Sequence, residues 1–160
     1  MTKLTRRNAL GVIAAPAALA ATAPAAIAQQ PAPAFTLLLV NDIYKMSDDK
    51  GRGGFARAAG IARAERAKGV PLLFCHAGDC YSPSLMSGFD QGAHIVAMQN
   101  KMGLDVFVPG NHEFDFGKEN YLKLTAAQTY PTFAANLRDA AGQPPPGQPH
   151  ALTRRLAGLL

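Results

Sequence analysis

Short apolar runs alternate with amphipathic segments through most of this chain, and that alternation restricts the folds it can adopt. The predicted strands begin with apolar runs, and together with the turn or loop that ends them they lie within residues 35–40, 70–79, 104–115 and 132–137. The segments between them have apolar residues at helical spacing and cover residues 53–69, 92–103 and 117–128. This order predicts an α/β fold of parallel βαβ units, with helices on both faces of the sheet because the strands are apolar on both faces.

Polar side chains follow three of the predicted strands at the point where each strand ends. Asp42 follows the first strand, Asp79 the second, and Asn111 and His112 the third. Because the carboxyl ends of parallel strands meet at one edge of a sheet, where ligands bind in a crevice, we expect these side chains to lie together. Carboxylate, amide and imidazole groups are ligands for divalent ions such as Mn²⁺, Zn²⁺ or Fe²⁺. The sequence therefore predicts a metal site at this edge.

The residues around these strand ends resemble the calcineurin-like metallophosphoesterases. The matching strings are "VNDIY" (40–44), "AGD" (77–79) and "GNHEFDFG" (110–117), with "FAANL" (133–137) and the Phe114-Asp115 pair typical of the 5′-nucleotidase branch. The match spans residues 35–139. The resemblance implies that this segment is the N-terminal half of a metallophosphoesterase α/β sandwich.

The resemblance also implies a role for each residue of the predicted site. Asp42 would bind the first of two divalent ions (Mn²⁺, Zn²⁺ or Fe²⁺), Asp79 would bridge both ions, and Asn111 would bind the second. His112 would face the substrate phosphate as a general acid or charge stabiliser. Asp115 would orient the His112 ring, since a carboxylate partner fixes the tautomer and favours the imidazolium.

Tyr44 departs from the family pattern. The first motif of the family is Asp-x-His, and its His is a metal ligand, but residue 44 of this chain is Tyr. A phenolate can bind a metal ion whose charge lowers its pKa, and a Tyr can instead simply pack beside the site. The sequence leaves both alternatives open, so Tyr44 is a candidate metal ligand.

Structural roles are predicted for several other polar residues. Asp90 is interpreted as a turn former or helix cap, and His94 and His76 as structural residues rather than ligands. Cys75 lies in an apolar strand and is expected to be a small buried thiol. A disulfide between Cys75 and Cys80 is possible in an oxidising compartment, but the sequence does not establish it.

The N-terminus has the layout of a secretory signal peptide, covering residues 1–28 and followed by a linker, residues 29–34. Arg6-Arg7 precedes an Ala-rich apolar stretch that ends in the small-x-small site Ala26-Ile27-Ala28. The arginine pair favours the twin-arginine route, and an ordinary Sec signal is the alternative. We expect interaction with the export machinery, a periplasmic or secreted product, and no membrane attachment after cleavage.

The net charge gives no support to a nucleic-acid partner. The chain has a formal charge of +5, and Lys3, Arg6 and Arg7 supply three of these charges, which leaves two on the remainder. The partner that the resemblance implies is a small phosphoester, with a nucleotide as the first choice. The predicted function is that of an exported, metal-dependent phosphohydrolase of the 5′-nucleotidase type.

The C-terminal segment, residues 140–160, is a Pro-rich tail without the later metal-binding motifs of the family. The resemblance therefore implies a truncated catalytic domain that lacks part of its ligand set. We expect residues 29–160 alone to bind metal weakly and to have little or no phosphatase activity. The alternative function is an inactive remnant or a partner-binding fragment that keeps part of a metal site.

Overall fold

A computed structural model of the chain describes residues 33–148 and residue 151. The predicted signal peptide lies outside the described residues, and so do most of the linker and, in the predicted tail, residues 149–150 and 152–160. Within the described part, no helix combines the length and the apolar character that crossing a bilayer requires.

A parallel sheet of three strands forms the centre of the described residues, in the order β1-β2-β3. The strands are β1 (Thr36–Val40), β2 (Leu72–His76) and β3 (Val106–Phe107). Val40 pairs with His76, and His76 pairs in turn with Phe107. All three strands therefore end at the same edge, and the prediction of an α/β fold with parallel βαβ units is confirmed.

The predicted fourth strand, residues 132–137, is wrong in extent. Thr132 forms only an isolated parallel bridge with Phe107, in which the Phe107 N–H donates to Pro131 O at 3.0 Å and the Phe133 N–H donates to Phe107 O at 2.8 Å. The reason is the length of β3. Its two residues are soon followed by Pro109, so a neighbouring segment has almost no ladder to extend.

The described residues include four α-helices. They are α1 (Phe55–Ala67), α2 (Ser87–Asp90), α3 (Ala93–Met102) and α4 (Gly117–Ala126). The short helix α2 was not predicted, since its single turn is too short to show helical periodicity. Gly54 precedes α1 with φ of 83°, and a Cβ there would lie 2.7 Å from the backbone nitrogen of Asp48, so this entry to α1 requires glycine.

The core lies on one face of the sheet. Phe74 and Phe107 are fully buried there, and Leu38 packs against the same cluster. The helices supply many of the other apolar side chains of this cluster, among them Phe55, Ala62, Ile95, Val96, Tyr121 and Leu124. Burial of such side chains contributes about 25 cal/mol per Å² of apolar area, so this layer is the main source of stability.

The opposite face of the sheet is apolar and partly open. Leu37 and Leu39 of β1 are 55% and 59% exposed, and the neighbouring side chains Leu73, Cys75 and Val106 are half-buried. We expected helices on both faces. In residues 33–148 the buried helical side chains join the cluster on the first face, while the second face presents an apolar surface. The strands are therefore apolar on both faces, as the sequence indicated.

The two cysteines lie in different surroundings and are not joined by a disulfide. Cys80 is fully buried, and its Sγ accepts a hydrogen bond from Gln99 Nε2 at 3.3 Å. Burial raises the pKa of the Cys80 thiol. The expectation that Cys75 is the buried thiol was wrong, because Cys75 points to the open face of the sheet and is only half-buried.

The first part of the Pro-rich segment packs against helix α4. Gln148 is buried, and its Oε1 accepts a hydrogen bond from the Tyr121 hydroxyl at 2.8 Å. Burial raises the pKa of Tyr121 to about 12, so the phenol remains a neutral donor. Residues up to Gln148 therefore contribute to the folded unit.

Candidate active site

The loops after β1 and β2 lie side by side. The Asp42 N–H donates a hydrogen bond to Gly78 O at 3.1 Å, which places Asp42 next to the Gly78-Asp79 turn. Asp42 has φ of 56° and Asp79 has φ of 57°, so both occupy the left-handed region that few residues other than glycine adopt. Such backbone conformations persist where the surrounding structure enforces them, which often happens at functional sites.

The loop after β3 closes tightly on the Asp79 loop. A Cβ on Gly78 would lie 2.2 Å from the Gly110 nitrogen, and a Cβ on Gly110 would lie 2.2 Å from Asp79 Oδ1. The His112 N–H donates to the same Asp79 oxygen at 3.1 Å. Both glycines are required because only a hydrogen at Cα leaves room for this approach. The three strand ends therefore meet, as the parallel topology predicted.

His112 and Asp115 form an ion pair across a single 3₁₀ turn, His112–Phe114, that follows β3, with Asp115 directly after the turn. His112 Nδ1 lies 2.7 Å from Asp115 Oδ2, and the Ser82 hydroxyl donates to that same oxygen. The hydrogen bond to Asp115 raises the pKa of His112. The hydrogen bond from Ser82, followed by the one from His112, lowers the pKa of Asp115. The pair therefore favours an imidazolium beside a carboxylate.

Glu113 is a site residue to which sequence reasoning assigned no role. Its side chain is fully buried, and its carboxylate accepts hydrogen bonds from backbone N–H groups of both loops. The donors are Asp79 at 2.8 Å, Gly110 at 2.6 Å, Cys80 at 2.8 Å and Tyr81 at 3.2 Å. The sequence did contain one signal for this role. Residues 78–81 follow a strand without entering a helix, so their buried N–H groups require a hydrogen-bond acceptor from another part of the chain.

The family model for calcineurin-like phosphoesterases matches residues 35–143, which include all three strand ends and the His112–Asp115 pair. The chain belongs to the calcineurin-like phosphoesterase family.

Individual relatives of this calcineurin-like phosphoesterase point to one branch. A snake venom 5′-nucleotidase from Gloydius brevicauda is 34% identical over 115 residues, which cover 64% of this chain and 20% of that protein. The Haemophilus influenzae NAD nucleotidase structure has a TM-score of 0.59 at 28% identity and covers 68% of this chain and 24% of its own. The calcineurin-like phosphoesterase YfkN of Bacillus subtilis has a TM-score of 0.61 at 19% identity, covers 72% of this chain and 40% of its own, and supports the fold alone.

The chain spans about a fifth of the length of the curated relatives it matches. Residues 35–143 therefore correspond to only a part of those proteins.

The side chains at the strand ends are of the types that bind divalent metal ions, but they are too few to complete a coordination sphere. Asp42 and Asp79 offer carboxylates and Asn111 offers an amide oxygen, which are ligands that such ions accept. Within the described part of the chain, however, no three side chains of His, Cys, Asp or Glu come close enough to hold an ion. The described residues thus supply part of a coordination sphere. Tyr44 is half-buried and lines the same open groove as Asp42, so its role as a ligand stays a prediction.

His76 has a structural environment in this calcineurin-like phosphoesterase, as predicted. The ring is buried beside Phe107 at a centroid distance of 5.8 Å, and Nδ1 accepts the Gly78 N–H at 3.1 Å. Burial lowers the pKa of His76 to about 4, so the ring is neutral at pH 7. Its contact with Gly78 supports the turn that carries Asp79.

Proposed function

We propose that this chain is part of an exported, metal-dependent phosphohydrolase of the 5′-nucleotidase type, which releases phosphate from nucleotides or related phosphoesters. The observation that carries the proposal is the His112–Asp115 pair, in which Nδ1 and Oδ2 lie 2.7 Å apart. The N–H of His112 also donates a hydrogen bond to Asp79. The names of its relatives, a venom 5′-nucleotidase and an NAD nucleotidase, support a nucleotide as the substrate.

His112 is assigned the proton chemistry. Asp115 binds Nδ1, which leaves Nε2 as the ring nitrogen able to face a substrate. The hydrogen bond to Asp115 raises the pKa of His112 and so favours the imidazolium form. When water adds to phosphorus and the ester P–O bond breaks, Nε2–H donates its proton to the leaving oxygen or stabilises the charge that develops on it.

Asp42, Asp79 and Asn111, with Tyr44 as a further candidate, are the residues that would contribute ligands to two divalent ions (Mn²⁺, Zn²⁺ or Fe²⁺), and they supply only part of the coordination of those ions. Such ions, which calcineurin-like phosphoesterases use, supply charge neutralisation at the phosphate when bound. Asp79 is central to this proposal because its carboxylate also accepts the His112 N–H. Loss of Asp79 would therefore affect metal binding and the position of His112 together.

The test measures phosphate release from AMP and from a generic phosphate ester in the presence of Mn²⁺. Two preparations are compared: the protein expressed from its own gene locus, and residues 29–160 alone. We expect His112→Ala to abolish most turnover while Mn²⁺ binding, measured by calorimetry, persists. Asp79→Ala should lose both. Equal loss of Mn²⁺ binding in the two variants would refute this division of roles.

Export is proposed from residues 1–28, and it is tested separately from activity. Replacement of Arg6 and Arg7 by Lys should leave the precursor in the cytoplasm if the twin-arginine route is used, because that route reads the arginine pair. Cell fractionation with an antibody to the folded part measures this directly. Unchanged export of the double-Lys variant would favour the Sec route.

A second candidate function, a partner-binding fragment without catalysis, has one observation in its favour. The apolar sheet face with Leu37 and Leu39 is open in the described residues, and large exposed apolar patches often mark interaction surfaces. Sedimentation of residues 29–160 at several concentrations, with Leu37→Ser/Leu39→Ser as the variant, measures self-association through this face. Phosphate release at an enzymatic rate would reject this second candidate.

A further inference from the structure

We infer that Glu113 is a positioning residue: its buried carboxylate acts as an internal anion that joins the Asp79 loop to the Gly110–His112 loop. The inference rests on the proposed function for the reaction that it serves, but its evidence lies in the hydrogen bonds of the two loops. Its carboxylate accepts backbone N–H groups from both loops.

The two oxygens of Glu113 have different partners. Oε2 accepts the Asp79 N–H at 2.8 Å and the Gly110 N–H at 2.6 Å, so this single atom bridges the loops that follow β2 and β3. Oε1 accepts the N–H groups of Cys80 and Tyr81 at 2.8 and 3.2 Å. Four N–H groups thus converge on one carboxylate, which is the arrangement of an anion-binding nest filled by a side chain of the same chain.

This arrangement requires a carboxylate rather than any polar group. Both oxygens of a carboxylate accept hydrogen bonds, whereas a carboxamide has one accepting oxygen and one donating NH₂ group. A Gln at position 113 would have nearly the same shape, yet its NH₂ group would face two N–H donors in either orientation. Because Glu113 is fully buried, water cannot replace the lost acceptor without rearranging the loops.

The consequence falls on the site residues. Asp79 N–H is held by Glu113, and Asp79 Oδ1 accepts the N–H of His112, the residue just before Glu113 in the chain. These bonds close a ring that fixes the Asp79 carboxylate relative to the His112 backbone. Glu113 therefore sets the geometry of two candidate site residues without facing the substrate itself.

The first test is Glu113→Gln, with the exposed Glu119→Gln as the matched control for loss of one negative charge. Amide hydrogen exchange is measured by NMR on the purified chain. We expect exchange at the His112, Asp79 and Gly110 amides to accelerate by at least about tenfold through local opening of the loops, while helix α3 amides keep their protection. Unchanged protection at His112 in a folded Glu113→Gln variant would overturn the inference.

The second test is chemical rescue of Glu113→Ala. The atoms removed by this substitution, one carbon and a carboxylate group, match those of acetate, so added acetate can fill the vacated nest. We expect Glu113→Ala to unfold several degrees lower than the wild type, because four N–H groups lose their buried acceptor. Acetate should recover part of the loss, and neutral acetamide should recover much less.

Two outcomes of the rescue experiment would count against the inference. Equal stabilisation of the wild type, Glu119→Gln and Glu113→Ala by acetate would indicate a general solvent effect, and equal rescue by acetamide would show that charge and two accepting oxygens are not needed. Neither readout depends on turnover. If phosphate release fails but acetate rescue succeeds, the proposed function falls and the role of Glu113 in holding the loops stands.

Discussion

Two His–Asp pairs in this protein have the same chemical groups at nearly the same distance. His112 Nδ1 lies 2.7 Å from Asp115 Oδ2, and His94 Nδ1 lies 2.8 Å from Asp90 Oδ1. Their surroundings differ. The side chains of His112 and Asp115 are 39% and 40% exposed, whereas His94 is only 7% exposed and Asp90 is 32% exposed.

The His94–Asp90 pair is part of the start of helix α3. The N-cap residue of this helix is Gly92, which has no side chain, and Asp90 replaces the missing cap by accepting the N–H groups of Gly92 at 3.0 Å and His94 at 2.8 Å. His94 Nε2 is buried without a hydrogen-bond partner among the described residues. Asp90 was interpreted as a turn former or helix cap and His94 as a surface or packed residue, and the structure shows Asp90 acting as a cap and His94 packed.

The His112–Asp115 pair has the opposite arrangement. It lies at a turn at the carboxyl edge of the sheet, beside Asp79. The buried Ser82 hydroxyl donates a hydrogen bond to Asp115. The difference teaches that a short His–Asp distance does not by itself indicate a catalytic group. Access to the second ring nitrogen and the neighbouring strand ends are what distinguish the two pairs.

The largest expected effect separates the pairs by activity. His112→Ala should lower kcat of the active gene product by roughly 10²–10⁴, the range for loss of a general acid, because no other group replaces the Nε2 proton. His94→Ala, the matched control, should leave kcat nearly unchanged. Steady-state hydrolysis of AMP by both purified variants measures the difference. A similar loss of kcat in both variants would contradict the assignment of a catalytic role to His112 alone.

The second prediction separates the pairs by stability. Asp90→Ala should lower the free energy of unfolding by about 1 kcal/mol, because it removes the cap of helix α3. Asp115→Ala should have a smaller effect, since its pair is exposed. Urea unfolding followed by circular dichroism gives both values. A larger loss for Asp115→Ala than for Asp90→Ala would contradict the assigned structural role.

The third prediction concerns the pH dependence of His112. Its pKa is raised above the usual value of 6.5 by Asp115, so the stabilising contribution of the pair is fully present below pH 6.5 and is lost as pH rises through the folded-state pKa. An NMR titration of the His112 ring should show a midpoint above 6.5 that moves down in Asp115→Asn. A midpoint that does not respond to Asp115→Asn would show that the carboxylate is not the cause.

The smallest expected effect belongs to Ser82. The hydrogen bond from its hydroxyl is the main cause of the lowered pKa of Asp115, so Ser82→Ala should raise that pKa towards its usual range. Carbon-detected NMR of the Asp115 carboxyl measures the shift. Ser84→Ala is the matched control, because Ser84 bonds to Ser87 rather than to Asp115. Equal shifts in both variants would indicate an indirect effect on the loop.

Local sequence patterns were sufficient to predict the elements that carry the site. The apolar runs gave β1 and β2 to within a few residues, and the helical spacing gave α1, α3 and α4. The extent of β3 and of the fourth strand could not be predicted in this way, because Phe107 and Thr132 pair only where two distant segments meet. Burial of Cys80 rather than Cys75 depends likewise on which face of the sheet the helices cover.

The sequence by itself determined the edge of the sheet at which Asp42, Asp79 and His112 meet, since parallel strands place their carboxyl ends together. Tertiary structure alone decided the role of Glu113 and the contrast between His112 and His94. The physical reason is that hydrogen-bond satisfaction and exposure depend on groups far apart in the chain. Glu113 receives its donors from residues more than thirty positions earlier as well as from nearby Gly110, and no local pattern encodes that convergence.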